Sequence, residues 1–92
     1  MPRIIINLLV IHPQPVVRCG FKTFFADYDL LDVVHAVGDV DEAIEYIKSN
    51  PVDILISEMS FTNVSPIDLI GKVKSVNPEI NVVLLTTQDQ QI

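Results

Sequence analysis

The sequence predicts an α/β protein with a doubly wound parallel sheet, because two kinds of pattern alternate along its 92 residues. Short runs of apolar, often β-branched residues alternate with segments whose apolar residues recur at helical spacing. The connections are short, which is typical of right-handed βαβ crossovers with helices packed on the sheet. Apolar residues make up 49% of the chain, so we expect a genuine core and a single domain over residues 1–92.

Four strands are predicted from the apolar runs. Residues 3–11 form a near-continuous run, typical of a parallel strand that is covered on both faces. The second strand is predicted from Leu31 to Val37, the third from Val52 to Ser57, and the fourth from Ile80 to Thr86.

Each of the three predicted helices has a start signal. Pro15 can occupy a first helical turn, Asp39 and Glu42 form a capping-box pattern, and Ser65 precedes Pro66 in another cap. The side chains predicted to face the core are Val17, Phe21, Phe24 and Phe25 in the first helix, Val40, Ala43, Ile44 and Ile47 in the second, and Leu69, Ile70, Val73 and Val76 in the third. Cys19, on the first helix, is expected to act as a small hydrophobic residue.

Composition excludes several functions. The net charge is −6 and the six basic residues are scattered, so these residues are not expected to bind nucleic acid. A single cysteine rules out an internal disulfide and a CxxC metal or redox site. The apolar runs are too short for a membrane-spanning helix, and no signal peptide is evident, so we expect a cytoplasmic protein without membrane contact.

The candidate site lies at the carboxyl ends of the strands, where parallel α/β sheets bind their ligands. The residues there are His12 and Pro13 after the first strand, Glu58 after the third, and Thr86 at the end of the fourth. These few positions therefore decide which chemistry the domain can perform.

The segment from Ile6 to Phe21, INLLVIHPQPVVRCGF, resembles the opening of a NarL-type receiver domain of response regulators. That family reads as an apolar strand, then Asp-Asp-His-Pro, two apolar residues, Arg, any residue and Gly. The resemblance places His12 and Pro13 at the acidic pair and Arg18 at the arginine. It implies the flavodoxin/CheY-like fold, with the first strand between the second and the third and the fourth beside the third.

The later strands carry the same resemblance. Residues 52–60, VDILISEMS, are similar to the family's third strand, with Glu58 in the place of the phosphoacceptor aspartate. Residues 82–86, VVLLT, are similar to the fourth strand, and Thr86 matches the hydroxyl residue that contacts the phosphoryl group. Measured against that family, the chain stops before the fifth strand and the last helix, so we expect a truncated, atypical receiver.

The departures from the family fall on its chemistry. A receiver phosphorylates its own aspartate with the help of Mg²⁺, a cation that prefers oxygen ligands. His12 offers nitrogen instead, Pro13 offers no side-chain ligand, and Glu58 is longer than aspartate by one bond of roughly 1.5 Å. A displacement of about 1 Å can already slow a reaction ~10²-fold. We therefore expect no metal site, no cofactor, no catalytic residue and no enzymatic activity.

Two functions of different class remain. The first is a phosphorylation-independent receiver of a two-component-type transcriptional regulator, which acts on a protein partner or as a homodimer. DNA would then be bound only by a C-terminal domain outside these residues. The second is a small flavodoxin-like enzyme or nucleotide-binding fragment, which the absence of a glycine-rich loop after the first strand disfavours.

Two details have competing interpretations. Glu58 is either a fixed mimic of a phosphoaspartate or simply a residue at a strand end that faces water. The apolar edge of the fourth strand is a template for pairing with a second copy, unless residues 87–92 cover it and the domain stays monomeric.

Overall fold

The computed structural model describes residues 4–58 and 65–85. In chain order these contain β1 (Ile6–Ile11), α1 (Pro15–Phe25), β2 (Leu31–Val37), α2 (Val40–Ser49), β3 (Ile54–Glu58), α3 (Pro66–Val76) and β4 (Asn81–Leu85). The strands form one parallel sheet in the order β2-β1-β3-β4. The predicted fold class and strand order are therefore confirmed.

The sheet separates two cores because side chains alternate between its faces. On β1, Leu9 and Ile11 join the larger core, whose helical residues come from α2 and α3. Leu8 and Val10 point the other way, into a smaller core with Phe21 and Phe25 of α1. All four β1 side chains are buried, as the continuous apolar run predicted.

The strand boundaries differ slightly from the predicted ones. Strand β1 begins at Ile6 and β3 at Ile54, each later than predicted, and β3 includes Glu58 at its end. Ile80 is fully buried, but it precedes β4 rather than opening it. The predicted strand end at Thr86 lies outside the described residues.

The predicted caps of α2 and α3 are confirmed. The Asp39 carboxylate accepts a 2.8 Å hydrogen bond from the Glu42 N–H, and the Ser65 hydroxyl accepts one of 3.1 Å from the Asp68 N–H. Glu42 also reaches back, although its Oε2 accepts from the N–H of Gly38 at 3.5 Å instead of that of Asp39. Each cap satisfies a backbone donor that the first helical turn leaves unpaired.

Helix α1 differs from its prediction in two side chains. Phe24 was predicted in the core but is 60% exposed, because α1 lies over β1 and β2 and directs Phe21 and Phe25 onto them. Phe24 instead contacts two neighbouring rings, Phe25 in an edge-to-face arrangement and Tyr28 in a tilted one. Cys19, expected to pack as a small hydrophobic residue, is exposed.

Strand β4 is the outermost strand on its side among the described residues. Val82 and Leu84 pack against the larger core, whereas Val83 and Leu85 point to the α1 side and are 41% and 37% exposed. No helix in the described part of the chain is long and apolar enough to cross a membrane.

Candidate functional site

The ends of β1 and β3 bring two of the predicted site residues close together. Ile11 of β1 is paired with Ser57 of β3, so His12 and Glu58 are the next residues along two adjacent strands. On its other side, Glu58 is paired with Leu85, the last residue of β4. Thr86 lies outside the described residues, so its match to the hydroxyl residue that contacts the phosphoryl group stays a prediction.

Hydrogen bonds from its backbone and its side chain hold His12 in the β1–α1 connection. Its N–H donates to the Val37 carbonyl at 2.9 Å, and its Nδ1 accepts from the Gln14 N–H at 3.1 Å. Its carbonyl oxygen accepts from Arg18 Nη1 at 2.6 Å. An imidazole whose Nδ1 accepts a backbone proton stabilises a turn, and that nitrogen's lone pair is already used.

Arg18 connects α1 to the end of β1 and approaches the β2–α2 connection. A Cβ built on Gly38 would lie 3.4 Å from Arg18 Nη1 and 4.0 Å from Glu42 Oε1. The absence of a side chain at Gly38 therefore leaves room for the guanidinium beside the β2–α2 connection. From the sequence, this arginine was noted only for its match to the family motif. Its position one turn into α1 was the signal for the contact, because a basic residue there can reach the carbonyls at the end of the preceding strand.

Glu58 is buried at the end of β3, with 8% of its surface exposed. The alternative in which Glu58 simply faces water is therefore wrong. The adjacent Ser57 is 1% exposed, and its hydroxyl donates to the Glu58 carbonyl at 3.4 Å. Glu58 is the last residue of β3 and lies within the sheet, between the end of β1 and Leu85 of β4.

The residues at these positions do not fit the Mg²⁺ site that receivers use. Mg²⁺ is held by carboxylate, carbonyl and water oxygens in octahedral geometry. Here Glu58 supplies one carboxylate, Pro13 has no side-chain ligand, and His12 offers an imidazole whose Nδ1 is engaged. Within residues 4–58 and 65–85, no three His, Cys, Asp or Glu side chains form a metal-binding group.

A parallel sheet in the order β2-β1-β3-β4, with helices on both faces, is the architecture of a receiver domain. The family model described as the response regulator receiver domain matches residues 8–92 of this chain. The chain belongs to that family.

Two curated relatives illustrate the sequence similarity. The response regulator UvrY of Escherichia coli K12 is 21% identical over 85 residues, which cover 92% of this chain and 39% of UvrY. The transcriptional regulatory protein YhcZ of Bacillus subtilis is 27% identical over 85 residues, again 92% of this chain and 40% of YhcZ. The chain thus spans about two fifths of the length of these relatives.

Solved structures show the same fold. The RcsB response regulator of Salmonella typhimurium superposes with a TM-score of 0.82 at 20% identity, over 94% of this chain and 44% of that one. The signal receiver domain of NarL from Mycobacterium tuberculosis gives a TM-score of 0.80 at 20% identity, over 97% of this chain and 71% of that one. These similarities confirm the predicted CheY-like architecture.

Proposed function

We propose that this chain is a phosphorylation-independent receiver domain of a two-component-type transcriptional regulator, and that it acts by contact with a protein partner or a second copy. The observation that carries the proposal is the end of β1. There the two residues that match the acidic pair are His12 and Pro13, and the His12 imidazole is used to hold the turn. Without those two carboxylates, the donor set for the cation that drives receiver phosphorylation is incomplete.

The position of Glu58 supports the proposal that the domain acts without being phosphorylated. Its carboxylate is at the end of β3, buried, beside the ends of both neighbouring strands. A glutamate carboxyl lies one bond further from the backbone than an aspartate carboxyl, which is the direction in which a phosphoryl group would extend. In this proposal Glu58 is a fixed mimic of a phosphoaspartate, and the domain needs no phosphorylation to contact its partner.

The alternative of a nucleotide-binding fragment is not favoured. A phosphate bound after β1 would need free backbone N–H groups at the start of α1. The N–H of Gln14 is donated to His12, Pro15 has none, and the N–H of Val17 is donated back to the Gln14 carbonyl. The first turn of α1 is thus poorly suited to cradle a phosphate.

DNA contact is assigned to another part of the regulator. This chain shares the receiver fold of RcsB, and one solved structure of RcsB contains two dimers bound to two parallel DNAs. The present chain has a net charge of −6, which opposes binding to phosphate backbones. We therefore propose that DNA is bound by a segment of a longer protein, and that these residues supply the protein contact.

Incubation with acetyl phosphate and Mg²⁺, followed by intact-mass measurement, tests the proposal. We expect no gain of phosphoryl mass under conditions in which a receiver with all its acidic residues, assayed in parallel, is modified. Glu58→Gln is the matched variant, because it keeps the side-chain shape and removes the carboxylate. A phosphoryl adduct on the native chain that is absent from Glu58→Gln would show that the site is active and overturn the proposal.

A further inference from the structure

An open groove of about 590 Å³ lies between β2 and α2, on the face of the sheet opposite α1. Its lining residues are His35, Val37, Asp41, Glu42, Glu45 and Tyr46. Val37 belongs to the larger core, and His35, two residues earlier on the same strand, points to the same face. This β2–α2 groove is therefore distinct from the surface of α1 and from the residues at the ends of β1 and β3.

Two stacked rings form one wall of the groove. The centroids of the His35 imidazole and the Tyr46 ring are 4.6 Å apart, and the ring planes are inclined by 20°. His35 is exposed, whereas Tyr46 is half-buried against the larger core, so the pair still presents a flat surface to solvent. A planar guanidinium stacks on such a surface, whereas an ammonium group is compact and strongly hydrated.

Carboxylates line most of the rest of the groove. Asp41, Glu42 and Glu45 are exposed residues of α2. Asp41 and Glu42 occupy the first helical turn, where negative charge stabilises a helix, but Glu45 lies beyond that turn. In the described part of the chain, no lysine or arginine lines the groove. The groove thus combines an aromatic wall with an excess of negative charge.

The basic residues near the groove compensate little of this charge. Lys48 Nζ lies 3.3 Å from Glu45 Oε2, but both side chains are more than half exposed, and surface pairs of this kind are weak. Arg18 approaches Gly38, but its hydrogen bond goes to the carbonyl of the residue that follows β1. Asp41 forms no ion pair with any residue that the structure describes. A cation that enters the groove therefore meets carboxylates that this chain does not neutralise.

The strand that borders the groove also has an open edge. Among the described strands, β2 pairs only with β1, and the Val37 carbonyl points inward to accept from the His12 N–H. Consecutive strand residues direct their backbone groups to opposite sides, so the N–H and C=O of Ala36 face the open edge. An extended segment paired there would lie about 4.8 Å from β2 and direct every second side chain to the face that carries the groove.

We propose that the β2–α2 groove docks an extended, arginine-containing segment of a protein partner. The segment pairs with the edge of β2, one of its guanidinium groups stacks on the His35–Tyr46 pair, and the carboxylates of α2 bind that group. A second copy of this chain is a poor occupant, because each copy has a net charge of −6. This inference rests on the proposed function and deepens it by naming the partner's chemistry and the surface of contact.

Fluorescence polarisation of a labelled peptide, titrated with the full 92-residue chain, tests the proposal. The peptide alternates threonine with arginine, so that its arginines lie on one face when it is extended. A second peptide carries lysine in place of each arginine and has the same charge. Unlabelled argininamide, added as a competitor, reports whether a free guanidinium compound binds as well as a segment does.

Two groove variants have matched controls outside the groove. Tyr46→Leu removes the ring and keeps apolar bulk, and Tyr28→Leu does the same at a tyrosine that is 48% exposed. Asp41→Asn combined with Glu45→Gln removes two groove carboxylates. Its control is a double variant of two exposed carboxylates elsewhere, Asp27→Asn and Glu79→Gln, which changes the net charge equally. Circular dichroism checks that each variant is folded, and the carboxylate variant carries the test if Tyr46→Leu is not.

We expect the arginine peptide to bind the native chain and both controls with similar Kd, and each groove variant to raise that Kd by at least about 10-fold. The lysine peptide should bind more weakly, because its ammonium groups do not stack. Absence of saturable binding, equal binding of both peptides, or equal losses in groove and control variants would overturn the proposal. So would argininamide that binds as tightly as the peptide, since the groove would then hold a small cation. None of these results changes the phosphorylation measurement, so failure here is distinct from failure of the proposed function.

Discussion

Arg18 Nη1 donates a 2.6 Å hydrogen bond to the carbonyl oxygen of His12, which joins the second turn of α1 to the residue that follows β1. The contact is partly buried, so a charged donor satisfies a carbonyl that has limited access to water. The turn between them is further held by the hydrogen bond from the Gln14 N–H to His12 Nδ1. These two hydrogen bonds hold the β1–α1 connection in a defined conformation.

Replacing Arg18 should destabilise the domain more than replacing a neighbouring basic residue. Arg18→Met removes the charged donor to His12, and we expect the free energy of unfolding to fall by about 1.5–3 kcal/mol. Lys22→Met on the same helix is the control, because Lys22 is exposed and Arg, Lys and Met have similar helix propensities. Urea unfolding of both variants measures the difference, and equal midpoints would show that the hydrogen bond contributes nothing.

The cap of α2 allows a prediction for the stability of two variants at Asp39. Asp39→Ala removes the acceptor of the 2.8 Å hydrogen bond from the Glu42 N–H, so we expect a loss of about 1 kcal/mol. Asp39→Asn keeps a side-chain oxygen at the same position and should stay close to the native chain. Thermal unfolding followed by circular dichroism distinguishes the two. Equal melting temperatures for Asn and Ala would mean that the cap is not formed in solution.

The elements and their order were predictable because local signals agreed with the fold. The continuous apolar run of β1 is what a strand buried on both faces requires, and the Asp39 and Ser65 caps mark two helix starts correctly. The strand limits were less predictable, since Val52 and Ile80 are apolar and buried but lie just before their strands. Periodicity reports burial directly and backbone pairing only indirectly.

The environment of the site residues could not be predicted from local pattern. Glu58 follows an apolar run at a predicted strand end, and nothing in that run reveals that its side chain is only 8% exposed. The exposure of Phe24 depends on where α1 crosses the sheet, because only Phe21 and Phe25 meet the β1 side chains. Helical spacing alone places all three phenylalanines on one broad face of the helix. It does not reveal which of them lies at the edge of that face and is exposed.

Two residues of α3 test which face of this helix packs against the sheet. Leu69 is 1% exposed in the larger core, whereas Ile67, two residues earlier, is 81% exposed. Leu69→Ala should lower the free energy of unfolding by about 2–5 kcal/mol, because it removes buried methyl groups and leaves a cavity. Ile67→Ala should change it by less than about 0.5 kcal/mol. Denaturant titration measures both, and similar values would contradict the assigned orientation of α3.

Glu58 gives the prediction that bears most directly on the site. Because the side chain is 8% exposed, Glu58→Ala leaves a void at the end of β3, and we expect a loss of about 1–3 kcal/mol. Glu58→Gln keeps the shape and an acceptor oxygen while removing the charge, so it should cost less than the alanine variant. Glu79→Ala, at an exposed carboxylate before β4, should stay within about 0.5 kcal/mol of the native chain.

Chemical denaturation of these three variants separates packing from charge at this position. A loss for alanine alone means that the Glu58 side chain is held mainly by its contacts in the sheet, and the carboxylate is then retained for a reason other than stability. Equal losses for glutamine and alanine would mean that the charge itself stabilises the fold. If Glu58→Ala were as harmless as Glu79→Ala, the carboxylate would lie in water, and its burial between the end of β1 and Leu85 would be wrong.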